Sequence, residues 1–314
     1  MNKISKESAM GRFEVLATGL KFPEGPIPMA DGSVLFVEIA RGTLSRLTRD
    51  GNVEIVAETG GGPNGAAIGP DGKVYVCNNG GFEWHDVNGA LLPGLTPADY
   101  AGGSIQRVDL ATGVVETLYT HCNGERLKGP NDIVFDAHGG FWFTDNGKRY
   151  ARTEDVGAVY YALCDGSFIS EQVYPRSHPN GIGMSPDGAT LYVSETMSGR
   201  IWRYAVPQPG MALVPQGLLN AEALLYGAGG FELYDSLAVE AGGNICVAAL
   251  ATGGIRVISP EGETVEFVET GDPVTTNIAF GGPDMQTAYL TLSGVGHLIA
   301  MRWARPGLRL AFNG

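Results

Sequence analysis

The sequence predicts an all-β protein, a six-bladed β-propeller whose blades are four-stranded and antiparallel. Three observations carry that expectation. One pattern of a polar or turn residue, a short apolar strand, a Gly-containing turn and a second apolar strand recurs six times. The 47 Gly and 18 Pro are spread along all 314 residues, which suits many tight turns rather than a disordered tract. Apolar spacing at the helical period is nearly absent, so a βαβ fold is disfavoured.

The copies run in order along the chain. They are FPEGPIPMADGSVLFVEIA from Phe22, GPNGAAIGPDGKVYVCNN from Gly62 and GPNDIVFDAHGGFWFTDN from Gly129. HPNGIGMSPDGATLYVSET from His178, LYDSLAVEAGGNICVAAL from Leu233 and VTTNIAFGGPDMQTAYLTL from Val274 complete the set. Most are followed by two further strands joined by turns such as TG or DG, as in GSIQRVDLATGVVETLYT. The opening polar residues Glu24, Asn64, Asn131, Asn180, Asp235 and Asn277 are spaced by 40, 67, 49, 55 and 42 residues. The long interval holds FEWHDVNGALLPGLTPADY, an insertion over residues 82–100 that reads as a lid, a surface excursion or an oligomer contact. An open ring would leave bare sheet edges, so RFEVLATGL (residues 12–20) is expected to pair with the last blade, within residues 274–304. The propeller domain then spans 12–314, and residues 1–11 form a loose tail.

Composition narrows the partners. A net charge of −13 argues against nucleic acid or an anionic membrane, both of which call for clustered Lys and Arg. With no signal-peptide pattern and no run of 18 apolar residues, a soluble cytoplasmic protein is expected. Cys77, Cys122, Cys164 and Cys246 are scattered without CxxC spacing and read as free thiols, mostly buried.

In a propeller the first residues of the innermost strands converge at one mouth of the axial channel. Four Asn with Glu24 and Asp235 then form a ring of oxygen donors suited to a hard cation. Taken singly, each Asn or Asp is more often a turn residue. Glu24, in FPEGP, has no such role, and the register of the set favours a site. The expected cofactor is one divalent ion, Ca²⁺ first, with Mg²⁺, Mn²⁺, Fe²⁺ and Zn²⁺ as alternatives.

The stretches FPEGP, GPNDIVFD, HPNGIGMSPDGATLYVSE and YDSLAVEAGGNICVA resemble the senescence-marker-protein (regucalcin)/gluconolactonase family, over nearly the whole chain. The resemblance implies a six-bladed propeller that holds a divalent cation on its axis and hydrolyses a small lactone. It makes Glu24, Asn180 and Asp235 metal ligands, Asn131 a fourth ligand or a substrate contact, and Asp235 also the acid/base group. One position departs from the pattern: sugar-lactonase members carry an Arg two residues before the third-blade Asn, where this chain has Gly129.

Asn64, Asn131, His178 and Lys128 are the expected substrate contacts. Whether the cation or Asp235 activates the attacking water stays open. No G-x-S-x-G elbow occurs, so a serine nucleophile is not indicated. Two other classes compete with a lactonase: a non-catalytic metal- or ligand-binding propeller, and an organophosphate or ester hydrolase using the same site. A strictosidine-synthase-like condensing enzyme is disfavoured, because it would need no ring of ligand-type residues.

Overall fold

A computed structural model describes residues 13–313; the tail expected over residues 1–11 lies outside them. The chain forms six antiparallel sheets arranged as a six-bladed propeller. Their innermost strands are Pro23–Pro28, Pro63–Ile68, Pro130–Phe135, Pro179–Met184, Leu233–Val239 and Thr275–Gly281, which begin blades 1 to 6. In blade 6 the outermost strand is Glu14–Ala17, hydrogen-bonded to His297–Arg302, so the two ends of the chain close the ring in one sheet. Blade 4 departs from the simple pattern. There Met211–Leu213 and Leu224–Gly227 share the outer edge of Arg200–Gln208, with a 3-10 turn at Leu218–Ala223 between them. Among the described residues no helix is long and apolar enough to cross a membrane.

The apolar core is divided into six clusters, one at each blade–blade interface. Ile27, Leu35 and Val37 of blade 1 meet Ile68, Val74 and Val76 of blade 2. At the next junction Tyr75 of blade 2 packs edge-on against Phe135 of blade 3, their ring centroids 5.1 Å apart. Trp142 with Ile182, Tyr192 with Leu237, Ile255 with Ile278, and Leu298 with Phe36 mark the other four junctions. Each blade therefore buries both faces, which explains why second strands such as VLFVE and FWFTD are buried at every position. A fully buried Phe or Leu contributes about 1.5–3 kcal/mol, so each junction is strongly favoured.

Local sequence sets two small hairpins outside the blades. Asn88–Gly89 joins Trp84–Val87 to Ala90–Pro93, and Asn123–Gly124 joins His121–Cys122 to Glu125–Arg126. All four turn residues have positive φ, between 52° and 87°, as a type I′ turn requires of Asn-Gly.

The C-terminal segment crosses the end of the channel remote from the strand starts. Trp303 Nε1 and Arg305 Nε donate to the fully buried Glu240 carboxylate of blade 5 at 2.7 and 2.6 Å, and Leu308 N donates to Val239 O. Phe312 ends edge-on against Phe135. Beneath lies a cavity of about 520 Å³, lined by Ile27, Val134, Met184, Val239 and Phe280 and floored by Leu308–Leu310.

Burial alone would push the Glu240 carboxyl up, but the Arg305, Trp303 and Asn244 donors outweigh it and hold it below its ordinary value. Its stabilising effect is thus present above the ordinary Glu range and lost as pH falls through the lower folded value. Glu240→Gln is expected to cost about 2–3 kcal/mol in denaturant unfolding at pH 7. The same variant should show a shallower loss of stability than the parent below about pH 4.5.

Candidate functional site

The opening residues of the inner strands meet at one mouth because those strands approach to backbone contact there. A Cβ on Gly25 would lie 2.8 Å from Asn64 O, one on Gly65 would lie 2.6 Å from Asn131 O, and one on Gly181 would lie 2.8 Å from Asp235 O. That is why Glu24, Asn64 and Asn180 are each followed by Gly. Hydroxyls at the ends of three second strands then tie blades 3, 4 and 6 to the next blade. Thr144 Oγ1 donates to Asn180 O, Ser194 Oγ to Asp235 O and Ser293 Oγ to Pro23 O, at 2.5, 2.7 and 2.6 Å.

A second set of polar groups fixes the loops entering the inner strands. Glu38 Oε2 accepts Lys21 N, Asn78 Oδ1 accepts Gly62 N, Asp145 accepts Lys128 N and Gly129 N, and Glu195 Oε1 accepts Ser177 N. These buried groups serve the fold, because their oxygens are taken by backbone N–H groups and, at Glu38 and Glu195, by the hydroxyls of Ser45 and Ser198. Phe22 and His178, two residues before Glu24 and Asn180, have φ of 58° and 51°, a conformation a bulky side chain adopts only when its surroundings impose it.

Within the ring Glu24, Asp235 and Asp132 are electrostatic neighbours. Glu24 Oε2 accepts Gly25 N at 2.8 Å and Asn277 Nδ2 at 2.7 Å, so Asn277 orients the carboxylate with its amide nitrogen. Asn180 Nδ2 donates to Thr196 Oγ1 at 3.0 Å, which leaves its Oδ1 directed elsewhere. The buried Oδ1 atoms of Asn180 and Asn131 have no donor among the described residues. A buried amide oxygen without a donor is costly unless something else satisfies it. Asp235 is half-buried, whereas Glu24 is 2% exposed.

Desolvation pushes all three carboxyls up, Asp132 to about 7, and repulsion from Glu24 raises Asp235 further. Clustered carboxylates with unpaired amide oxygens are what a divalent cation satisfies, and the donors Glu24, Asp235, Asn180 and Asn131 fit one. Among the described residues no three His, Cys, Asp or Glu side chains lie close enough to hold a metal alone, so the amides would have to complete such a site.

The expected substrate contacts are placed around this mouth. Asn64 is buried in the ring, and its backbone O abuts Gly25. His178 Nε2 lies 3.4 Å from the exposed Glu154 carboxylate. Burial pushes its pKa down against the pull of Glu154. Lys128 is half-buried where its backbone O accepts Tyr100 Oη at 2.6 Å. At Gly129 a Cβ would meet Gly147 O at 2.5 Å, so this backbone admits no side chain where the sugar-lactonase pattern has Arg. His85, in the insertion, is exposed.

Two residues had not been picked out from the sequence. Asp132 follows Asn131 where three other copies have Gly, and that departure was its visible signal. Lys148 lies in the loop between the second and third strands of blade 3 and is 2% exposed. Its Nζ donates to Asn79 O and Gly81 O and sits 4.1 Å from the Phe82 ring centroid, and burial pushes its pKa down to about 8. Nothing local in the sequence shows that burial.

The profile described as SMP-30/Gluconolactonase/LRE-like region matches residues 22–294, and the chain belongs to that family. It is 27% identical over 304 residues to the gluconolactonase of Zymomonas mobilis, covering 89% of this chain and 78% of that protein. It is 31% identical over 202 residues to the lactonase drp35 of Staphylococcus aureus, covering 64% of this chain and 54% of that protein. Among solved structures, the Agrobacterium tumefaciens calcium-binding protein regucalcin superposes with a TM-score of 0.71 at 21% identity, over 95% of this chain and 97% of that one. A Xanthomonas campestris gluconolactonase gives 0.71 at 22% identity, over 95% and 93%.

A carboxyl raised on folding, such as Asp132, stabilises fully below its unfolded value near 3.8, and that contribution is lost as pH rises through about 7. In EDTA, denaturant stability should therefore increase as pH falls from about 7.5 toward about 5. Asp132→Asn should flatten that limb of the pH–stability curve.

Proposed function

We propose that the protein hydrolyses a small lactone with one divalent cation, Ca²⁺ first, held by Glu24, Asn180 and Asp235 with Asn131 as fourth donor. The observation carrying this reading is the pairing of a buried and a half-buried carboxylate, Glu24 and Asp235, with two donorless amide oxygens at one channel mouth. The lactonase names among the relatives supply the substrate class, and the calcium-binding neighbour supports the choice of ion.

When bound, the cation supplies Lewis-acid polarisation of the lactone carbonyl. Asp235 takes a proton from the water that attacks this carbonyl. It returns the proton to the alkoxide released as the ring C–O bond breaks, giving a hydroxy acid. Its partial exposure suits that task, whereas Glu24 is fixed by Gly25 N and Asn277 and acts as a ligand. Asn64, His178 and Lys128 bind and orient the substrate, and His178, kept neutral by burial, offers a donor or acceptor rather than a charge.

The test is a pH-indicator assay over sugar and aliphatic γ- and δ-lactones, with EDTA-stripped protein and single metals added back. Turnover should return with one metal, and Asp235→Asn should lower kcat by about 10²- to 10⁴-fold. Metal binding without turnover of any lactone would instead mark a binding propeller. Calorimetric titration with the activating ion should show binding to the parent and its loss in Glu24→Gln.

A further inference from the structure

The insertion between the second and third strands of blade 2 lies on the same face as the candidate site. Its hairpin reaches blade 6, where Leu91 N donates to Gly294 O at 2.8 Å. On the other side Thr96 N and Oγ1 donate to Arg149 O in blade 3 at 2.9 and 2.7 Å, and Tyr100 Oη donates to Lys128 O. Trp84 packs at 5.1 Å on Phe22, two residues from Glu24, and Phe82 packs edge-on against Trp84 at 6.0 Å. The line from Phe22 through Trp84 and Phe82 to Lys148 thus runs from the ring position of blade 1 to that of blade 3. There the Lys148 stem lies beside Gly129.

Lys148 is the tie under this line. Its ammonium is bound by the carbonyls of Asn79 and Gly81 and stacked over Phe82, with Tyr100 at 5.2 Å. A cation so enclosed is not available to a substrate, and the surface above the ring between blades 1 and 3 is aromatic instead.

We propose that Lys148 is a positioning residue that pins residues 79–103 as a fixed roof over the mouth, and that Phe82 and Trp84 with Phe22 select lactones carrying an apolar substituent over polyhydroxylated ones. The selectivity half rests on the lactonase reading above. The pinning half stands on the contacts alone.

Amide hydrogen exchange on the full chain tests the pin without any turnover. Lys148→Met should speed exchange across 79–103 while the blade strands stay protected, and Lys148→Arg should restore most of the protection. Unchanged exchange in Lys148→Met, with an unchanged melting temperature, would overturn it. For selectivity, kcat/KM is compared for γ-nonalactone and glucono-δ-lactone with the activating metal present. The parent should favour the nonalactone, and Trp84→Ala should lower that preference about tenfold, mainly through KM. Preference for the gluconolactone, or an equal loss on both substrates, would overturn the selectivity. Turnover of neither substrate would overturn the selectivity, and with no turnover across the wider panel the lactonase reading falls too, leaving the exchange result to decide the pin.

Discussion

The close approach of six inner strands at one end of the channel is the constraint on which the rest depends. Gly25, Gly65 and Gly181 allow it, since a Cβ at any of them would enter a neighbouring strand's backbone. Hydroxyls of Thr144, Ser194 and Ser293 then fix the next blade's ring backbone with short hydrogen bonds. The six interface clusters supply the free energy that holds the blades at this distance. Polar ring side chains are thus delivered by a rigid frame, which is how a site attains fixed geometry without its own residues packing into a core.

That frame separates two kinds of buried acid. Glu38, Asp145 and Glu195 accept backbone N–H groups and hold the entry loops. Glu24, Asp132 and Asp235 face one another, and their burial is compensated only in part. The second group adds repulsion between its members to desolvation, and such cost collects at functional sites.

The two ends of the channel are finished differently. At the remote end Glu240 anchors Trp303 and Arg305, and the segment that follows floors an apolar cavity. At the ring end the 79–103 insertion is tied to blades 3 and 6 by backbone acceptors, and its Trp84 packs on Phe22 at the entry to blade 1. Both segments lie outside the repeat, so the repeat supplies the ring and the added segments finish its two ends.

The six-bladed architecture was legible because each blade repeats the same local grammar: a polar residue, a Gly-allowed approach, two apolar strands and a Gly turn. The ring residues Glu24, Asn64, Asn131, Asn180 and Asp235 could be aligned from that repeat alone, since register within a blade is set by its own turns. Asp132 left a trace, an acid where three copies have Gly, but its meaning required knowing that it faces Glu24 and Asp235. Lys148 left none, because its burial arises from Asn79, Gly81, Phe82 and Tyr100, which lie about 50–70 residues earlier in the chain. Sequence by itself determined the blades and aligned the polar residues that open their inner strands. Only the tertiary structure decided which amide oxygens lack donors, which acids repel, and where the insertion lies, because each depends on contacts between blades that no local pattern encodes.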